Sequence, residues 1–133
     1  MRFFFDNNLS PYLAESINAL ARQDGDEVTH MRTKFPQDTP DVEWIKKLAS
    51  EGNWIVVSGD LDIVRTRAEK PVWQAAGLVG FFLMKGWMTL TPWDQAWRLV
   101  RWWPVIVTQG KIAGRGSTFR VAVNFNGKLA PLL

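Results

Sequence analysis

Asp6 closes the apolar run Arg2-Phe3-Phe4-Phe5, Ser58, Asp60 and Asp62 follow the apolar run Trp54-Ile55-Val56-Val57, and Asp41 and Glu43 lie between them in Thr39-Pro40-Asp41-Val42-Glu43. Carboxylates so far apart in sequence matter as a group if the fold gathers them, because several together are stable near neutral pH only with positive charge among them. A hard divalent cation such as Mg²⁺ or Mn²⁺ meets that need. It takes oxygen ligands, keeps several waters and bridges to phosphate oxygens, the apparatus for hydrolysing a phosphodiester with a metal-activated water. Each residue also has a plainer reading. Asp6 beside Asn7 and Asn8 suits a turn at a strand end. Asp41 in a first helical turn suits the helix dipole, and Glu43 is either a solvated helix residue or a second ligand. Asp60 and Asp62 suit an Asx turn or N-cap, and Ser58 an ordinary strand-end hydroxyl. Singly the plainer readings win; jointly, the coincidence of position favours a site.

The elements that would position these residues can be read from the pattern. Arg2 to Phe5 predicts a short strand, and Ser10-Pro11 supplies an N-cap and first-position proline for a helix running to about Gln23, with Leu13, Ile17, Leu20 and Ala21 on its inner stripe. Glu27 to Met31 predicts a second strand, residues 32–39 a loop, and Thr39-Pro40 a second helix start reaching Glu51, stopped by Gly52. Trp54 to Val57 reads as a strand buried on both faces, followed by a short helix from Ile63 to Lys70 and a strand within Leu78 to Leu83. Thr91-Pro92 opens a Trp-rich helix. After Pro104 the run Val105-Ile106-Val107 fits strand or helix, helix being preferred. Phe119 to Val123 is the expected final strand, and 124–133 the tail. Strands alternating with helices predict an α/β fold, a three-layer α/β/α sandwich with a mostly parallel central sheet. In such sheets ligands bind outside the carboxyl ends of the strands, where Asp6, Ser58, Asp60 and Asp62 fall.

Composition narrows the classes. A chain of 133 residues with 47% hydrophobic and 22% charged residues has the length of one globular domain, with residues 1–90 as its acidic-site α/β core and 91–133 as a Trp-rich helical segment and final strand. No cysteine is present, which excludes a disulfide framework, a cysteine zinc site and a thiol nucleophile. With no long apolar segment for a signal peptide or a membrane span, a cytoplasmic protein is expected. Charge is unevenly spread. Residues 1–62 carry 6 basic against 11 acidic residues, a net of −5, and residues 63–133 carry 10 against 2, a net of +8. An acidic cluster on a chain whose other half is basic suits a metal site acting on a polyanion. Arg65, Arg67 and Lys70 are candidate contacts to a nucleic-acid backbone, though a solvated helix face would look the same. Trp93, Trp97, Trp102 and Trp103 read first as core or subunit interface and second as a base-stacking platform. His30, the single histidine, is expected on a strand away from the acidic edge, packed rather than catalytic.

The ordered fragments Phe3-Phe4-Phe5-Asp6-Asn7-Asn8-Leu9-Ser10, Thr39-Pro40-Asp41-Val42-Glu43-Trp44-Ile45 and Ile55-Val56-Val57-Ser58-Gly59-Asp60 resemble the PIN-like domains, in particular the small group typified by VapC45-type toxins. The likeness continues more loosely through Ala76 to Leu83 and Trp103-Pro104. It implies a PIN-like α/β/α fold, a Mg²⁺- or Mn²⁺-dependent ribonuclease, the toxin role in a type II toxin-antitoxin pair with a cognate antitoxin protein, and a homodimer. By the same resemblance Asp6 and Asp60 coordinate the metal, Asp41 binds it or orients its water, Asp62 is the variable fourth acid, and Ser58 supports the site. Two other classes are kept beside this one: a catalytically inactive PIN-like module that binds RNA or protein, and a receiver-like phosphoacceptor domain, for which Lys85 is the one available partner lysine.

Overall fold

The computed structural model describes all 133 residues. Six strands form one sheet: β1 (Arg2–Phe5), β2 (Glu27–His30), β3 (Trp54–Ser58), β4 (Val79–Leu83), β5 (Thr118–Val121) and β6 (Ala130–Pro131). Their spatial order is β2-β1-β3-β4-β5-β6, with β1 to β5 all parallel and β6 antiparallel at the edge. The helices are α1 (Pro11–Ala21), α2 (Met31–Lys34), α3 (Asp41–Glu51), α4 (Lys70–Ala76) and α5 (Pro92–Ile112). None of them is long and apolar enough to cross a membrane.

Alternation along each strand builds two cores, since successive side chains leave opposite faces of a sheet. Phe3, Phe5, Ile55, Val57, Phe81 and Leu83 pack with Leu13 and Ile17 of α1 and Leu99, Trp102 and Ile106 of α5. Phe4, Trp54, Val56 and Phe82 pack on the other face with Trp44, Ile45 and Leu48 of α3 and Trp73 of α4. The sheet is thus covered on both sides, and the fold is the α/β sandwich the pattern predicts.

Local chemistry explains the ends. Ser10 accepts the amide of Tyr12 at 3.1 Å and Thr91 that of Asp94 at 3.2 Å, so these two helices start at the expected cap, whereas α3 starts one residue later than expected, after Pro40, with no side-chain cap because Thr39 donates instead to the Pro36 carbonyl. α3 stops at Gly52, whose φ of 77° suits a residue without a Cβ. Three segments differ from expectation. The helix predicted from Ile63 to Lys70 is instead a 3₁₀ turn over Leu61–Val64 and a separate helix α4, because Asp60 caps the turn and Pro71 sets the first turn of the later helix. The loop predicted over 32–39 begins with the single helical turn α2, capped by the His30 side chain. The tail carries the short strand β6, pairing Ala130 with Arg120.

α5 runs unbroken through Pro104. The ring removes the amide that would bond to Val100, a residue 41% exposed, so that carbonyl has water at hand. On the buried side Trp103 lies 4.7 Å from Phe3 between ring centroids, and Trp102 donates its indole N–H to the Ala122 carbonyl at 3.0 Å. These anchors hold the helix across the proline.

Gly80 on β4 marks the tightest approach of the sheet to the α3/α4 layer. A Cβ there would meet Trp73 Cζ2 at 2.6 Å and Phe82 Cε2 at 2.8 Å. Gly80→Ala is expected to destabilise the protein by about 1–3 kcal/mol through overpacking, and Trp73→Phe in the same chain to recover part of that loss. Urea unfolding of wild type and the two variants measures both effects.

Candidate metal centre at the carboxyl edge

The parallel strands all deliver their C-terminal ends to one edge, and the site is assembled there. Asp6 follows β1 and extends its ladder, donating its amide to the Val57 carbonyl at 3.1 Å. Its side chain is 4% exposed. One carboxylate oxygen accepts from the Asn7 amide at 2.5 Å and the other from the Ser58 hydroxyl at 2.8 Å. Ser58 ends the neighbouring strand β3 and is fully buried; its oxygen also accepts the Asp60 amide at 3.0 Å. One hydroxyl therefore ties the first acid to the loop that carries the third. Asn8 adds a second tie, accepting the Gly59 amide at 3.3 Å.

Asp60 caps the 3₁₀ turn, accepting the Asp62 amide at 3.0 Å. Asp41 opens α3 on the opposite layer, and its carboxylate accepts the indole N–H of the buried Trp44 at 2.8 Å. Asp6, Asp41 and Asp60 each offer a carboxylate oxygen, and the three oxygens lie within 4.8 Å of one another. Of the other expected site residues, Ser58 is bonded into this group and the rest are not among its ligand atoms. Asp62 contributes its backbone amide but its side chain is exposed, and Glu43 is exposed on α3. Arg65 and Arg67 are exposed and Lys70 half-buried on the connection from β3 into α4. The ion pairs of the chain involve residues 1–51 alone, so none of these cations neutralises the acids.

The electrostatics follow. Burial pushes the Asp6 carboxyl up to about 6; Asp41 and Asp60 add to the rise, and the bonds from Ser58 and Asn7 oppose it. Burial also raises Asp60, with Asp41 and Asp62 adding to the effect and the Asp62 amide opposing it. Glu69 joins them unexpectedly. Burial first, then the charges of Asp41, Asp60 and Asp62, carry it up to about 7, and its Oε2 is enclosed with no hydrogen-bond partner. Sequence reading passed over Glu69 because it sits among Arg65, Arg67 and Lys70 in a run that resembles a solvated charged face. The signal available was its isolation, for Glu69 and Asp94 are the only acids in residues 63–133.

His30 requires a correction of place. It ends β2 in register with Phe5, on the carboxyl edge rather than away from it. It is packed as expected: Nδ1 accepts the Arg32 amide at 3.0 Å and Nε2 lies 2.6 Å from the Leu9 carbonyl, an arrangement that fixes a neutral ring with the proton on Nε2. Burial lowers its pKa accordingly.

Three converging carboxylates, a fourth with an orphaned oxygen and no cationic side chain among them form an all-oxygen donor set. That chemistry fits a hard divalent cation. A family model described as a PIN-like domain matches residues 1–85, a span that includes Asp6, Asp41, Ser58, Asp60 and Glu69 and ends before α5. No curated protein and no solved structure matches the chain.

The raised acids make stability depend on pH in a definite direction. Asp6 holds its proton in the folded state up to about 6 but in the unfolded chain only to near 3.8, so its contribution is fully present below pH 3.8 and is lost as pH rises through 6. In EDTA, raising pH from 4 to 7.5 is expected to remove about 2 kcal/mol through this group. Asp6→Asn is expected to flatten that dependence and to be the more stable protein at pH 7.5 in EDTA, the order reversing in Mn²⁺. Urea midpoints across pH test this, and equal pH slopes for the two proteins would count against it.

Proposed function

Because this chain belongs to the PIN-like domain family, whose members are in general nucleases, we propose that it is a metal-dependent endoribonuclease of the VapC45-type group, the toxin of a type II toxin-antitoxin pair restrained by a cognate antitoxin protein. The observation that supports this reading best is the meeting of Asp6, Asp41 and Asp60 with no cation beside them. Asp6 and Asp60 would hold Mg²⁺ or Mn²⁺ directly, and Asp41 would complete the set from the other layer. When bound, such an ion supplies Lewis-acid polarisation of a phosphate and lowers the pKa of a water. Ser58 and Trp44 act as positioning residues, since each spends a donor on one ligand carboxylate and so sets its orientation before the ion arrives. Glu69 joins the acids as an outer carboxylate, and Asp62 and Glu43 stay at the rim.

The reaction exchanges one bond for another. The oxygen of water bonds to phosphorus, the bond from phosphorus to a ribose oxygen breaks, and the departing oxygen takes a proton. Arg65, Arg67 and Lys70 lie on the connection that leaves the acidic loop, where they would meet the phosphates flanking the cut. The protein's place is the cytoplasm, where RNA is at hand, and it works there as a homodimer in which residues 1–133 form one domain.

Cleavage of a mixed RNA pool by wild type, Asp60→Asn and Ser58→Ala, each in Mn²⁺ and in EDTA, tests the reading. Wild type is expected to cut only with metal, Asp60→Asn not at all, and Ser58→Ala about 10- to 100-fold more slowly. RNA retained equally by all three proteins without cleavage in any sample would replace the nuclease by a binding module.

A further inference from the structure

The outer face of α5 is left unexplained by the acidic centre. Trp93 is 85% exposed and Trp97 53%, on the same side of the helix four residues apart. Burial is the ordinary fate of tryptophan, and the chain's Trp44, Trp73, Trp87 and Trp102 all follow it. Two large rings left in water on one face mark a surface built to be covered.

Arginines are interleaved with these rings. The Arg98 guanidinium lies 4.5 Å from the Trp97 ring centroid, and the Arg101 guanidinium 4.4 Å from that of Phe125. Together with Asn124 these four side chains line an open cleft of about 440 Å³. Arg98 is held in place by donating to the Val123 carbonyl at 3.0 Å. At the other end of the face, Trp93 and Tyr12 flank a smaller cleft of about 160 Å³, and Tyr12 is itself 76% exposed.

α1 and α5 cover the sheet face opposite to α3 and α4, and the segment that leads into α5 touches the loop that carries the third acid. Tyr12 stands six residues after Asp6, in the first turn of α1. Met88, just before α5, lies so close to Gly59 that a Cβ on that glycine would meet Met88 Sδ at 2.6 Å, and Gly59 separates Ser58 from Asp60. Met88 is thus packed against the loop that carries Ser58 and Asp60.

Resting on the nuclease reading, we propose that Tyr12, Trp93, Trp97, Arg98, Arg101 and Phe125 form a binding track for single-stranded RNA, along which the strand leads to the carboxyl edge. Aromatic rings accept unpaired bases of any sequence, and arginines beside them meet the backbone and add cation–π attraction. A duplex keeps its bases stacked inside and offers these rings nothing, so the track selects unpaired RNA. Charge decides between RNA and a second copy of the chain as the occupant. Asp94 is the only carboxylate on α5 and already accepts the Trp97 indole, whereas no ion pair engages any of the ten Lys and Arg of residues 63–133. Pairing this face with its own copy would bring arginine against arginine; a polyanion neutralises them.

The test is fluorescence anisotropy of a labelled twelve-nucleotide single-stranded RNA with the full chain in EDTA, which separates binding from cleavage. Trp93→Ala/Trp97→Ala is expected to weaken binding by about tenfold or more. Arg101→Gln is expected to reduce the slope of log affinity against log salt by about one. The same RNA as a duplex should bind wild type more weakly and be indifferent to the tryptophan changes. Quenching of wild-type tryptophan fluorescence by the single strand gives a second readout that needs no variant. Single-strand affinity within twofold of wild type in the double variant overturns the track. So does a variant that changes from dimer to monomer in sedimentation while keeping its RNA affinity, for that assigns the face to a second copy. Loss of metal-dependent cleavage with tryptophan-dependent binding intact would remove the nuclease reading and leave the track standing; cleavage unaffected by the tryptophan changes would do the reverse.

Discussion

A carboxylate that is 4% exposed and has two others within 4.8 Å is expensive to keep charged, and much of this molecule is arranged around that cost at Asp6. The hydroxyl of Ser58 is the hinge of the arrangement. It donates to Asp6 and accepts the Asp60 amide, so two strand ends 52 residues apart are fastened through one oxygen atom. That fastening requires β1 and β3 to be neighbours, although β2 lies between them in sequence, and the order β2-β1-β3 provides it. Burial on both faces then removes water from around Asp6, while Asp41 and Asp60 stay half-buried beside it. The site is strained electrostatically because the fold around it is well packed.

The three carboxylates come from two strand ends and from the helix layer that covers one face of the sheet, and this has a consequence for rigidity. Asp6 and Asp60 ride on strand ends, whereas Asp41 stands on the first turn of α3 and takes its orientation from Trp44, itself wedged 5.0 Å from Phe4 between ring centroids. Phe4 is the β1 residue two before Asp6. The core that supports the helix is therefore also the core that supports the strand, and the distance between the two acids is set by aromatic packing rather than by a flexible loop. Such preorganisation lets carboxylates that repel one another stay ready for a cation instead of moving apart.

The two halves of the chain divide the labour. Residues 1–85, the span matched by the PIN-like family model, carry every acid of the centre. The remainder supplies α5, whose buried side closes one core through Leu99, Trp102 and Ile106 and whose outer side carries exposed aromatic rings beside arginines. One helix thus serves packing with one face and presents a basic aromatic surface with the other.

Much of this was legible in the residues. Phe3-Phe4-Phe5 reads most simply as a strand and Trp54 to Val57 as one buried on both faces, and an acid placed directly after such a strand emerges at the carboxyl edge of a parallel sheet. Ser10, Thr91 and the prolines beside them marked helix starts by chemistry that acts within a few residues, and so needs no tertiary knowledge. What only the tertiary structure decided depends on contacts between segments distant in sequence. Glu69 enters the acidic centre because α4 packs on α3 and brings it to Asp41, while Asp62, two residues from Asp60, is left in solvent once its amide is used to cap the turn. α5 passes through Pro104 because Trp102 is anchored at the Ala122 carbonyl just after β5 and Trp103 against Phe3 of β1, interactions no local propensity contains. Sequence alone determined which residues could be ligands and which edge they would reach; the packing of helices across that edge decided which carboxylates meet, because a few ångströms separate a metal centre from a solvated surface.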